Sequence, residues 1–256
     1  MFDFKEKDFT IHKFRRLCEA VASNYQTITM AEYFKGQKPE NFVLMRHDVD
    51  RMPGHALATA RIEHELGIRS TYYFRAMKNT FKPNIMKQIE DMGHEVGYHY
   101  EDLSVANGDS EKAIEMFKSN LADFRRICDV KTICMHGRPL SKYDNRDLWK
   151  TYAFEDYGII GEAYLSAGEE LNYFSDTGRN WGDKNSLRDH MSSTETTVSA
   201  KTTHDLIDMV LSRNLSNYYI LTHPERWSLN LMDWSMYFAM DNVFNVGKKT
   251  LQVMRG

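Results

Sequence analysis

"NFVLMRHDVDRMPGHALATARIEHELG", residues Asn41 to Gly67, decides the architecture of this chain. Phe42, Val43, Leu44 and Met45 form an apolar run of strand length, which stops on Arg46, His47, Asp48, Val49 and Asp50. Such a run bounded by polar residues reads as a buried strand. Pro53 to Gly67 then reads as a helix, with Asp50 placed to help cap its start and Gly67 placed to end it. A buried strand feeding a helix is half of a βαβ unit.

The alternation continues in both directions. Residues 11–23 carry Ile11, Phe14, Leu17 and Val21 near helical spacing. Downstream, "STYYFRA" reads as strand, Asn84 to Met92 as helix, "HEVGYHY" as strand and 109–127 as helix, with Ile114, Phe117, Leu121 and Phe124 on one face. "KTICMHG", "GIIGEAYL" and "LNYFSD" read as strands, "THDLIDMVLSRN" as a helix and "NYYILTHP" as a strand. From about residue 229 the chain reads as largely helical. About seven strands with helices between them imply an α/β fold, a distorted, TIM-like (β/α)7 barrel. A doubly wound open sheet is the rival, but no GxGxxG or Walker pattern supplies its usual reason. With five Pro and no linker tract or repeat, residues 1–256 are expected to form a single domain.

Bulk properties exclude several functions. The formal net charge of -3 lacks the basic excess of a nucleic-acid binder. No run approaches the roughly 20 apolar residues of a membrane helix. Cys18, Cys128 and Cys134 are odd in number and share no CxxC spacing, which argues against a disulfide framework or a cysteine zinc site. "MFDFKEKDFTIHKF" has no apolar signal core, so a cytoplasmic location is expected.

The chemistry lies in where the polar residues fall. One strand ends in His47-Asp48-Val49-Asp50, another in His99-Tyr100-Glu101-Asp102, another in His136-Gly137-Arg138-Pro139, and the last in Thr222-His223-Pro224-Glu225-Arg226-Trp227. Glu162 lies inside "GIIGEAYL", and "SDTGRNW" brings Asp176, Arg179 and Trp181. A parallel barrel delivers all its strand C-termini to one rim, where active sites are built. Asp and His are usual ligands of Zn²⁺ and similar ions, and a catalytic site keeps one position open for water. A carboxylate beside the metal takes a proton, and a His opposite protonates the leaving group. Arg138 is a candidate to fix the carboxylate or the substrate. Trp181 and Trp227 are candidates to stack on a sugar, with plain packing as the alternative, and Glu162 and Asp176 are candidate substrate contacts.

Across roughly Asn41 to Trp227 the chain resembles the polysaccharide deacetylase family, the carbohydrate esterases with the NodB-homology domain. The resemblance rests on Asp48-Val49-Asp50, "GHEVGYH", Arg138-Pro139 and Leu221-Thr222-His223. It implies a distorted (β/α)7 barrel and metal-dependent removal of an N- or O-acetyl group from a sugar. It also implies Asp48 as general base, Asp50 and His99 as metal ligands and His223 as general acid. One position departs from the pattern: the family's second histidine, four residues after the first, is Leu103 here. His136, ending the adjacent strand, is the first candidate for third ligand, and Glu101 is the second. The chain thus resembles an atypical branch, the deacetylase-like proteins of surface-polysaccharide gene clusters.

The other histidines read as structural or solvated. His47 alternates away from Asp48, and His94 starts its strand at the far end of a barrel. His55 and His64 read as solvated on the first long helix, and His12, His190 and His204 offer no case. Three functions follow: a metal-dependent deacetylase acting on an acetylated sugar precursor, a related amidase on a small C–N substrate, or a non-catalytic barrel that binds a glycan or a partner.

Overall fold

The computed structural model describes residues 4–138, 141–168, 170–179, 181 and 200–239. Helix α1 (Ile11–Asn24) leads to a short strand β1 (Gln26–Ile28) and a short helix α2 (Met30–Phe34). Next come β2 (Phe42–Val49), α3 (Pro53–Glu65), β3 (Thr71–Phe74), α4 (Pro83–Asp91) and β4 (Glu95–Tyr100). They are followed by α5 (Asp102–Val105), α6 (Ser110–Arg125), β5 (Thr132–Met135), β6 (Gly161–Glu162), β7 (Asn172–Ser175), α7 (Thr203–Ser212) and β8 (Asn217–Thr222). Residues 231–239 are helical. The remainder of the expected C-terminal helical segment lies outside the described residues. No helix among the described residues is long and apolar enough to cross a membrane.

The strands lie in the order β6-β5-β4-β3-β2-β8-β7, and each neighbouring pair is parallel. Because β8 returns beside β2, the sheet curls into a half-barrel with helices packed around it. This is the α/β architecture of a distorted (β/α)7 barrel, not a doubly wound sheet. Among the described residues its open seam falls between β6 and β7. β2 is buried at all eight positions, as a parallel strand covered on both faces must be. Strand β3 pairs only with the upper half of β2, from Arg46 onward, and β1 takes the lower half, from Phe42.

The outward face of β2 receives the helices. His47 holds α3 against the sheet. Its Nε2 lies 2.7 Å from Glu63 Oε1, its Nδ1 lies 2.6 Å from Thr222 Oγ1, and its ring stacks on Tyr72 at 4.2 Å. Glu63 also accepts hydrogen bonds from Tyr72 and Ser70 at 2.6 Å each. His94 joins this buried group through Ser70 and the Ala60 carbonyl.

Two local expectations are corrected. The N-cap of α3 is Met52, without a side-chain cap bond, and not Asp50. Pro53 at the first helical position lacks an N–H and has φ already set for the helix, so the cap has less to do. His55 is not solvated: it is 5% exposed, under Tyr237, and burial lowers its pKa. His64, His12 and His204 are exposed, while His190 lies outside the described residues.

Candidate active site

The inward face of β2 presents Arg46 and Asp48, and Asp50 follows in the turn. Arg46 is fully buried. Its Nε donates to Asp48 Oδ1 at 2.8 Å and its Nη2 to Asp48 Oδ2 at 2.6 Å. The hydroxyls of Tyr219 and Tyr164 accept the remaining Arg46 bonds, at 2.9 and 2.7 Å, and the Tyr164 ring lies 4.2 Å from the guanidinium carbon. Burial pushes the Asp48 pKa up, but Arg46 and then His99 pull it down further, so the net shift is downward. Asp48 is therefore held ionised.

Asp50 Oδ1 is a buried atom that accepts no hydrogen bond of good geometry among the described residues. His99 Nε2 lies 3.4 Å from it and His136 Nε2 lies 3.5 Å from it. Behind each ring the other nitrogen is engaged. His99 Nδ1 lies 3.0 Å from the Cys134 carbonyl, and His136 Nδ1 lies 3.3 Å from Glu101 Oε2. Those partners take an Nδ1 proton from each ring and turn both Nε2 atoms toward the carboxylate, the orientation found behind metal-ligating imidazoles. Tetrahedral zinc with ligands at about 2.0–2.1 Å sets neighbouring donor atoms about 3.3 Å apart. The two edges from Asp50 match that spacing, so this donor set fits a small divalent ion. Burial raises the Asp50 pKa, His136 and His99 lower it, and the net position is well below the usual carboxylate range.

A second trio, Asp48, His99 and Cys134, also brings donor atoms within 4.8 Å of one another. It fits a cation less well, because Arg46 already neutralises Asp48 and would stand beside any ion placed there.

The third donor next to Asp50 and His99 is thus His136, from the end of β5. Glu101 stands behind it, where its Oε1 accepts from Arg75 Nε at 2.9 Å and Nη2 at 2.5 Å. Leu103 is 5% exposed on α5 and belongs to the apolar core. Arg75 also donates to the Asp50 carbonyl at 3.3 Å, which ties the Asp50 turn to β4 through Glu101.

His223, at the end of β8, is 5% exposed. Its Nδ1 lies 2.6 Å from Asp176 Oδ1, and its backbone N–H donates to Asp176 Oδ2 at 2.9 Å. Arg226 Nη1 donates to the same Oδ1 at 2.8 Å. Burial and Arg226 lower the His223 pKa, Asp176 and Asp50 raise it, and the net shift is upward.

Several expected contacts fall elsewhere. Asp176 meets His223, Arg226 and the Trp227 indole N–H, so it positions the imidazole and does not line a substrate surface. Trp227 is fully buried against Phe9 and Phe14, and Trp181 is 3% exposed between Phe9 and Trp227, so neither offers a face to a sugar. The reason is that the segment after β8 pairs with the start of α1, Ser228 bonding the backbone of Phe9 and Ile11. Glu162 is fully buried and accepts the backbone N–H groups of Met135, Tyr164 and Leu165 at 2.7–2.8 Å. It satisfies donors near the open seam of the barrel, where strand pairing stops. Arg138 does not reach Asp48; its Nη1 lies 3.6 Å from Glu101 Oε2.

Three relevant residues escaped the sequence reading. Arg46 sits two positions before Asp48, so strand alternation alone puts both on one face and gave a usable signal. Arg75 had no signal beyond ending a strand. Glu225 is 1% exposed, and neither of its side-chain oxygens accepts a hydrogen bond among the described residues. Burial and the charge of Asp50 raise its pKa, and Arg51 Nε lies 3.5 Å away.

No family model and no curated protein matches the chain. Among solved structures, it is similar to a family 4 carbohydrate esterase from Streptomyces lividans in complex with acetate. That likeness has 12% identity and a TM-score of 0.43, covering 82% of this chain and 91% of the other. It is also similar to a CE4 esterase from Streptococcus mutans, with 14% identity, a TM-score of 0.43, and 80% and 82% of the two chains covered.

Proposed function

We propose that this chain is a metal-dependent hydrolase that removes an N- or O-acetyl group from a sugar or polysaccharide precursor. The observation that carries the reading is the convergence of His99 Nε2 and His136 Nε2 on the buried Oδ1 of Asp50, which accepts no hydrogen bond among the described residues. The motif resemblance supports the same reaction class. Asp50, His99 and His136 would hold the ion, with Zn²⁺ the metal best suited to one carboxylate and two imidazoles. When bound, the ion supplies Lewis acidity, which acidifies a water and polarises an acyl carbonyl.

The chain's own groups divide the proton work. A general base must be ionised, and Arg46 keeps Asp48 so; Asp48 takes the proton of the attacking water. A general acid must carry a proton, and Asp176 favours protonated His223, which donates to the leaving nitrogen or oxygen. Asp176 also fixes the imidazole's orientation, as the orienting acid of a catalytic triad does.

The non-catalytic alternative rests on Leu103; the position of His136 beside Asp50 and His99 favours the metal-dependent reading over it. The amidase alternative uses the same atoms, so a substrate screen separates the two. The test of the main reading joins metal analysis with acetate release from acetylated sugars. About one ion per chain and metal-dependent acetate release are expected. A folded chain that binds no divalent ion, or one whose hydrolysis is unaffected by chelation, would overturn it.

A further inference from the structure

Arg138 is a candidate to fix either the carboxylate or the substrate; Arg46 holds Asp48, which leaves the substrate side for Arg138. Its backbone has φ 30°, in the left-handed region that non-glycine residues seldom occupy. Such conformations cost energy and persist where the surroundings enforce them, often at ligand sites. Here the turn places the side chain in the lining of a cleft of about 540 Å³, whose wall also includes Glu101, the partner of His136. Arg138 is the donor this cleft has to offer, since Asn120 Nδ2 donates to Tyr98 and Asp102 and Arg75 donates to Glu101 and the Asp50 carbonyl, while Met77, Val105 and Met116 give it an apolar side. Met77 and Val105 are each 42% exposed.

The charges in this corner are unevenly matched. Glu101 is shared by three basic side chains: Arg75 occupies Oε1, while His136 and Arg138 both approach Oε2. The Arg138 contact, at 3.6 Å, is too long for a hydrogen bond, and the side chain is 44% exposed. Its planar fork of donors therefore faces the cleft, and such a fork suits a phosphate. Asp102, the other acid of the lining, already accepts from Tyr98 and Asn120.

We propose that this cleft is a phosphate subsite, so that the acetylated sugar is presented as a phosphate ester, with the apolar side covering the adjoining part of that ester. That the bound ester is an acetylated sugar rests on the deacetylase reading; the anion site does not. Because Glu101 joins the cleft to His136, a phosphate held by Arg138 lies alongside the metal ligands, not over them.

The test is calorimetric titration of the chelator-treated, metal-free protein with inorganic pyrophosphate, with glucuronate as the carboxylate comparison. Saturable pyrophosphate binding is expected. It should weaken about 10-fold or more in Arg138→Gln, weaken less in Arg138→Lys, and persist in Asp50→Asn, in keeping with loss of a charge-assisted contact. Thermal melting of each variant controls for folding. Equal pyrophosphate affinity in the wild type and Arg138→Gln would overturn the proposal. So would binding that vanishes only in Asp50→Asn, or binding of glucuronate alone. Pyrophosphate binding without hydrolysis of any acetylated sugar would sink the deacetylase reading and leave the subsite standing. Metal-dependent hydrolysis of neutral sugars without pyrophosphate binding would do the reverse.

Discussion

Asp48 and Asp50 stand two residues apart and face the same rim, yet their surroundings give them different chemistry. Asp48 is clamped by a guanidinium, while Asp50 faces two imidazole nitrogens. Asp48→Asn is expected to lower kcat more than about 100-fold, the usual range for loss of a general base. Its metal content should not change, because the metal donors stay intact. Retention of near-normal turnover would remove Asp48 from the base role. Asp176→Asn tests the proton on His223. Asp176 raises the imidazole pKa, so its loss lowers that pKa. The acid then deprotonates sooner, and the high-pH limb of the rate profile should move to lower pH. An unmoved limb with a lower kcat would mean that Asp176 serves orientation alone.

At the scale of elements, the approach of β2 to β4 over β3 depends on one small residue. Asp48 Oδ2 and His99 Nε2 come within 3.6 Å although Tyr73 of β3 lies between their strands. The Tyr73 ring leans across Gly97 to bond Thr132 Oγ1 at 2.7 Å, and a Cβ on Gly97 would lie 2.3 Å from that ring and 2.9 Å from the Thr132 carbonyl. Gly97→Ala is therefore expected to destabilise the fold by about 1–3 kcal/mol, as overpacking does, read from denaturant unfolding. A neutral result would show that Tyr73 has another position available. On α5, burial raises the Asp102 pKa from 3.8 to about 6. The folded state then holds this proton more tightly than the unfolded chain. The resulting stabilisation is full below pH 3.8 and is lost as pH rises through about 6, with a ceiling of about 3 kcal/mol. Comparing the melting temperatures of Asp102→Asn and the wild type across pH 4.5–7.5 should show the variant gaining relative stability as pH rises; a constant difference would count against it.

At the scale of the molecule, the proposed ion, held by Asp50, His99 and His136 in the folded state alone, would link β2, β4 and β5 and so raise stability. At 100 times its dissociation constant the gain is about 2.7 kcal/mol, which for a chain of this size is a rise of about 5–10 °C in melting temperature. Chelation should reverse that rise, and Asp50→Asn should abolish it. A melting temperature indifferent to zinc would place the ion elsewhere or nowhere. Assembly at this scale was largely legible beforehand. Apolar runs such as Phe42–Met45 and Tyr218–Leu221 are long enough to declare themselves, and their polar ends named the rim. The short strand β1 gave no such pattern, because three residues are too few to show alternation.

Sequence alone determined the order of the longer strands and helices and the rim to which their polar ends are delivered, since these depend on local hydrophobic pattern and on the parallel connection of successive strands. Tertiary structure decided the pairings across that rim. It gave Asp48 to Arg46 and not to Arg138, put His136 beside Asp50 with Glu101 behind it, and turned Trp181, Trp227 and Glu162 into packing and backbone support. Those choices depend on strand register, on where the barrel seam opens and on which side chains the outer helices cover. All three are set by contacts between residues far apart in the chain.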